Sequence, residues 1–239
     1  MSWLAILLVG LGVTDLVRSV RRVAVVPECV GAGAAVLLGL LCELTEWRDA
    51  LAYVVVAAVV VAWGRTSRLP GTRAAVPLAL LGTALVAGLL LAPWAPDVTG
   101  PVADWLQRAP WLGLATADPA HTLLVLGGVL VQLSTGNVVV RLVLEATGAQ
   151  PPQRPGQRSL KGGRLLGPME RLVILGLGLA GHVTAASLVI AAKGLVRWPE
   201  LQSFRDTDEP SIDEVTEYFL VGSFVSWLTS LGTLVLLAG

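Results

Sequence analysis

The stretch Gly162-Gly-Arg-Leu-Leu-Gly-Pro-Met-Glu-Arg171, an uncharged run from Leu172 to Ala192, and then Lys193-Gly-Leu-Val-Arg-Trp198 together decide the fold class. About 20 uncharged, mostly apolar residues are what a helix needs to cross the hydrocarbon core of a bilayer. Charges bracket the run: Arg164, Glu170 and Arg171 before it, Lys193 and Arg197 after it. Gly167-Pro168-Met169-Glu170 reads as a helix start. Proline at the first helical position loses no needed hydrogen bond, and an acid in the first turn complements the helix dipole. The pattern predicts one continuous span over 168–198.

The remainder of the chain has the same character. Of its 239 residues 54% are apolar and only 14% charged, with a mean hydropathy of +0.73. Soluble chains carry about 25% charged residues. The composition therefore predicts an all-α, polytopic transmembrane bundle. The formal net charge is zero, which argues against a nucleic-acid partner. Cys29 and Cys42 fall near opposite ends of one predicted helix, too far apart for a disulfide and too few for zinc. The first apolar run has no basic residue before it, and Asp15 and Arg18 follow it where a cleavage site would stand, so it does not read as a cleavable signal. Arginine outnumbers lysine 15 to 2, as in proteins of GC-rich bacterial genomes.

Seven spans are predicted: Trp3–Val17, Cys29–Leu44, Ala50–Trp63, Ala74–Trp94, Pro119–Glu145, Pro168–Trp198 and Asp213–Leu237. With the N-terminus outside and the C-terminus inside, 12 of the 17 basic residues fall in inner segments, as the positive-inside rule requires. The outer connection 95–118 contains Pro101-Val-Ala-Asp-Trp-Leu-Gln-Arg108 and Trp111, which reads as a short helix lying in the interface. The inner connection 147–163 is rich in Pro, Gly, Gln and Arg and reads as an extended cytoplasmic linker. The chain thus divides into a five-span region over 1–146, the linker, and a two-helix hairpin over 164–239. No internal repeat marks it as an inverted-repeat transporter.

Polar residues concentrate in the last three spans. Gln132, Thr135, Gly136, Asn137 and Arg141 lie in the fifth, His182 and Thr184 in the sixth, and Glu217, Ser226 and Ser230 in the seventh. Gly128, Gln132 and Gly136 share one helix face, as do Gly222, Ser226 and Ser230. Such faces make either a close helix contact or the wall of a polar path. Charge in hydrocarbon costs several kcal/mol unless it is paired or reaches the interface. Depth matching predicts two intramembrane pairs, Lys193 with Glu217 and Arg141 with Glu170, and leaves Arg197 near the outer water. His182 is the only ionisable group near the middle of a span, a candidate proton relay or ligand contact. Arg164, Arg171 and Lys161 are placed to meet an anionic lipid headgroup. No catalytic set, metal-ligand spacing or cofactor motif is present.

Leu160-Lys-Gly-Gly-Arg-Leu-Leu-Gly-Pro-Met-Glu-Arg-Leu172, with Ala192-Lys-Gly-Leu-Val-Arg197 and Thr216-Glu-Tyr-Phe-Leu-Val-Gly222, resembles the C-terminal transmembrane hairpin of an uncharacterised bacterial inner-membrane family defined by a domain of unknown function. The resemblance covers about the last 80 residues and implies a membrane module without naming a reaction. The sequence favours a bacterial inner-membrane protein that passes or gates a small solute or ion through its last three helices. The alternatives are a membrane-embedded sensor or subunit, whose basic linker engages a cytoplasmic protein or anionic lipid, and an intramembrane enzyme acting on lipid. A homo-oligomer fits the first two.

Overall fold

A computed structural model describes residues 1–21, 25–68, 73–108, 118–149, 163–202 and 212–238, with side chains at all of these except 163–164, 196–202 and 212–215. Every regular element among the described residues is helical. In chain order the α-helices are α1 (Ser2–Val20), α2 (Val26–Leu41), α3 (Trp47–Thr66), α4 (Ala75–Leu91), α5 (Gly100–Gln107), α6 (Pro119–Leu130), α7 (Gly136–Thr147), α8 (Gly163–Leu179), α9 (Val183–Gln202) and α10 (Ile212–Ala238). A π-helical turn, Val131–Thr135, joins α6 to α7, so Pro119–Thr147 runs as one 29-residue helix. Among the described residues, five helices are long and apolar enough to cross a membrane: Ser2–Val20, Trp47–Thr66, Ala75–Trp94, Pro119–Thr147 and Thr216–Ala238. This agrees with a membrane protein built as a helical bundle. α2 and the Val183–Leu195 part of α9 are shorter apolar helices.

The chain forms two compact units. The first is Met1–Leu69 with Val76–Thr135, and the second is Pro70–Ala75 with Gly136–Gly239. In the first unit α1 is the centre, buried along most of its length, with α2, α3, α6 and the π turn packed around it. Small residues set the approach. A Cβ on Gly31 of α2 would lie 1.8 Å from Thr14 Oγ1, and one on Gly12 would lie 2.6 Å from Leu130 Cβ. Two helix backbones meet this closely only where side chains are absent. Asp118 caps α6, its carboxylate accepting from the Ala120 and His121 amides at 3.3 and 3.2 Å, as the Asp-Pro start predicts. α5 is too short to cross a bilayer. It buries Ala103 and Leu106 and exposes Trp105, an interfacial pattern; Trp111 lies outside the described residues.

In the second unit the sequence expectation for 168–198 is corrected. The run is two antiparallel helices, α8 and α9, joined at Ala180–His182. Gly181 sits at φ +78°, the His182 amide donates to Leu177 O at 2.8 Å and the Gly181 amide donates to Gly178 O at 3.0 Å. This is a Schellman ending, which stops a helix where a glycine takes the left-handed conformation. An unbroken apolar run carries no mark of such a reversal. α8 also begins at Gly163, so Pro168 lies inside the helix rather than at its first position and removes one backbone hydrogen bond.

Candidate functional site

The second unit places Arg171 at its centre. Arg171 is only 1% exposed. Its Nη2 donates to Asn137 Oδ1 of α7 at 2.7 Å, and its Nη1 donates to Ser226 Oγ of α10 at 3.2 Å. Ser230 Oγ donates back to the Arg171 carbonyl at 3.5 Å. Gly136 makes room for the guanidinium, whereas Gly167 meets it only at ordinary contact distance. A Cβ on Gly136 would stand 2.7 Å from Arg171 Nε, and one on Gly167 would stand 3.5 Å from Nη1. Ser223, Ser226 and Ser230 are all buried and recur with helical spacing, so α10 turns a line of hydroxyls inward.

Contacts along α10 fix the height of this arginine. Gly178 of α8 approaches Leu234, and Gly222 approaches Leu144 and Val140 of α7. α8 therefore runs parallel to α10, and α7 runs antiparallel to it. Ser226 and Ser230 lie near the middle of the membrane-crossing segment Thr216–Ala238. The Arg171 side chain is thus at mid-height of a helix long enough to span the bilayer. This corrects the expectation that Arg171 meets a lipid headgroup: α8 packs against α7 and α10 and holds the arginine between them.

The predicted ion pairs are also exchanged. Lys193 Nζ donates to Glu170 Oε2, not to Glu217. The two residues are 23 apart in sequence and would be about 34 Å apart on one straight helix. Because Gly181 lies midway between them, the reversal brings them face to face, both less than one-fifth exposed. Glu217 is exposed on α10. Arg141 pairs with Glu145 one turn along its own helix, at 2.9 Å, rather than with Glu170. His182 is exposed at the hairpin turn, not in the middle of a span, and it borders an open recess of about 620 Å³ lined also by Thr184, Ser187 and Leu188. Lys161 and the side chains of Arg164 and Arg197 lie outside the described residues. Gln132 belongs to the first unit, fully buried in the π turn. Beside it Ser134 Oγ donates to Gly12 O at 2.8 Å.

A second polar cluster, in the first unit, escaped the sequence reading. At the ends of α1 and α3 and the start of α2, Arg18 lies 3.2 Å from Asp15 and 3.6 Å from Glu28. Arg68 lies 2.7 Å from Glu28, and Trp63 Nε1 donates to Asp15 Oδ2 at 2.9 Å. Arg18 also donates to Ser67 Oγ and Gly64 O. Asp15 and Glu28 are buried. Gly64 admits the Glu28 side chain, since a Cβ there would stand 2.4 Å from Glu28 Cγ. The signal available in the sequence was an acid and a base one turn apart at the end of the first apolar run, and an acid directly after Pro27.

The chemistry these groups support is electrostatic. Arginine stays charged in proteins and only donates hydrogen bonds, so Arg171 is a fixed positive charge and not a proton carrier. Among the described residues no group of three or more His, Cys, Asp or Glu side chains is placed to hold a metal. Cys29 is exposed and Cys42 is buried, both as free thiols. Compared with protein-family models, curated proteins and solved structures, the chain, its last 80 residues included, matches none.

Proposed function

We propose that the chain is a bacterial inner-membrane protein that passes a small solute or ion through its second unit, between α7, α8, α9 and α10. One observation carries the reading: Arg171, buried at mid-height of a membrane-crossing helix and held by an amide and a hydroxyl. An arginine in hydrocarbon costs roughly 2.5–3.5 kcal/mol even on the lenient insertion scales, and such residues mark substrate or ion pathways. The line of buried serines on α10 supplies polar groups along the same interior.

The test is flux into proteoliposomes of the purified protein. Wild type is expected to release an imposed salt gradient faster than empty vesicles do. Arg171→Gln is expected to lower the rate by an order of magnitude while keeping a folded, monodisperse protein. Wild-type flux equal to that of protein-free vesicles, over a panel of small ions and neutral solutes, would rule the passage reading out. Capture of one soluble protein that depends on residues 150–162 would then favour the sensor or subunit.

A further inference from the structure

The passage reading concerns the second unit. In the first unit, the height of the outward-facing helices is set independently of it. α2 and α3 lie antiparallel, held at two heights: Gly39 meets the Tyr53 ring, and Gly64 meets the Glu28 side chain. Both turn apolar side chains outward, among them Leu37 and Leu40 of α2 and Leu51, Val54 and Val55 of α3. α2 has 16 residues, about 24 Å of helix. The uncharged part of α3 runs only from Ala50 to Gly64, between Asp49 and Arg65, about 22 Å. A hydrocarbon core is about 30 Å thick and calls for helices of about 17 residues or more.

A short span is accommodated by stretching charged side chains toward the headgroups, by association, or by thinning the bilayer. Stretching is closed off, because both polar layers are held in place. At one end Asp49 Oδ1 accepts from Trp3 Nε1 at 2.7 Å and Asp49 Oδ2 from the Glu46 amide at 3.0 Å. The Arg48 guanidinium lies over the Trp47 ring, 5.6 Å from its centroid. At the other end Arg68 is tied to Glu28 at 2.7 Å, and Arg18 donates to Ser67 Oγ at 2.8 Å and to Gly64 O at 3.1 Å. The Arg68 side chain is still 36% exposed, so water or headgroups must come to it at that height. α4 carries no charge and sets no such limit, which confines the shortfall to the α2–α3 face.

We propose that the α2–α3 face of the first unit binds phospholipids of short acyl chain, fitting a hydrocarbon core about 20–25 Å thick and thinning a thicker bilayer around it. The test is lipid competition on the purified full chain. A brominated phosphatidylcholine quenches its tryptophan fluorescence, and dimyristoleoyl, dioleoyl or dierucoyl phosphatidylcholine relieves the quenching in proportion to its affinity.

Wild type is expected to bind the dimyristoleoyl lipid about threefold more tightly than the dioleoyl one, and the dierucoyl lipid more weakly still, since mismatch has a modest cost per Å. Arg65→Leu/Arg68→Leu removes the exposed charges of α3 from that layer and is expected to move the preference to dioleoyl. Arg65→Leu alone leaves the Arg68–Glu28 pair whole. It is expected to move the preference part of the way, and serves if the double variant does not fold. Equal affinity for the three lipids, or highest affinity for dioleoyl, would overturn the proposal. A dimer in that case would identify a second copy as what covers the face. A short-chain preference unchanged in both variants would place the thin belt elsewhere in the protein and overturn its assignment to α2 and α3.

Discussion

Glu43 and Gly181 hold the same position in two helix endings, and the comparison shows what one residue contributes. α2 ends as α8 does: the Leu44 amide donates to Gly39 O at 3.2 Å and the Glu43 amide to Leu40 O at 3.1 Å. The left-handed residue there is Glu43, at φ 55°, and a side chain in this region costs about 1–2 kcal/mol. What holds it is modest. Thr99 Oγ1 donates to Glu43 Oε2 at 3.3 Å, and the side chain lies against Gly100. Glu43→Gly is therefore expected to raise stability by about 1 kcal/mol, whereas Gly181→Ala is expected to lower it by about as much. Thermal unfolding of the two variants checks the signs, and a loss of stability in Glu43→Gly would show that its side-chain contacts outweigh the strain. Neither site was legible beforehand. Gly181 is one of several glycines in an apolar run, and Glu43 is a residue type that left-handed positions disfavour.

At the scale of the element, the Glu170–Lys193 ion pair ties α8 to α9. Glu170 and Lys193 are both mostly buried, and removing one partner of such a pair typically costs about 3–5 kcal/mol through the charge left behind. Glu170→Gln and Lys193→Met are each expected to destabilise in that range. The exchange Glu170→Lys with Lys193→Glu is expected to recover much of the loss. A coupling energy near zero in the double-mutant cycle would mean that the two charges act independently. The sequence exposed the ingredients but not the pairing. Depth along a single helix matched Lys193 to Glu217, and only a reversal at Gly181 changes the partner. Hydropathy has no sense of direction, so an apolar run of this length supports one long helix or two shorter ones equally. Burial of Arg171 was hidden for the same reason: whether a charge two residues past Met169 faces lipid headgroups or the interior depends on what packs beside it.

For the whole molecule, the antiparallel pair alters the threading. The start of α8 and the end of α9 lie at the same end of the second unit, whereas a continuous sixth span would put 163 and 202 on opposite sides of the membrane. Single cysteines at Gly163 and Gln202 are expected to react with an impermeant maleimide from the same side in intact cells. Labelling from opposite sides would restore the continuous span. Elsewhere the sequence was a good guide. The boundaries of α1, α3, α4, the α6–α7 helix and α10 fall within a few residues of the predicted spans, because each begins or ends at a charge, a proline or a cap that the pattern displays. In the first unit Trp3, Trp47 and Trp94 mark one end, where Trp3 Nε1 donates to Asp49 Oδ1 at 2.7 Å. Arg18 and Arg68 mark the other. Trp63 also sits at that end, donating to Asp15 beside Arg18, so tryptophans stand at both ends of the unit, as aromatic belts do.

The Glu170–Lys193 pair has a consequence for how the protein is made. α8 presents Glu170 and Arg171 to the insertion machinery within one turn, and each charge near a helix centre opposes entry into lipid by roughly 2.5–3.5 kcal/mol. Its neutralising partner Lys193 lies 23 residues further on and can reach Glu170 only once α9 has also left the ribosome. α4 has no such dependence: only 11% of its apolar window is buried by other parts of the protein, and no charge interrupts it, so it can partition by itself. α8 is instead expected to enter together with α9, as a pair. A chain truncated after His182 and released from the ribosome is therefore expected to leave α8 accessible to a water-soluble probe, and one truncated after Gln202 to protect it. Protection in both truncated chains would show that α8 enters lipid without its lysine partner.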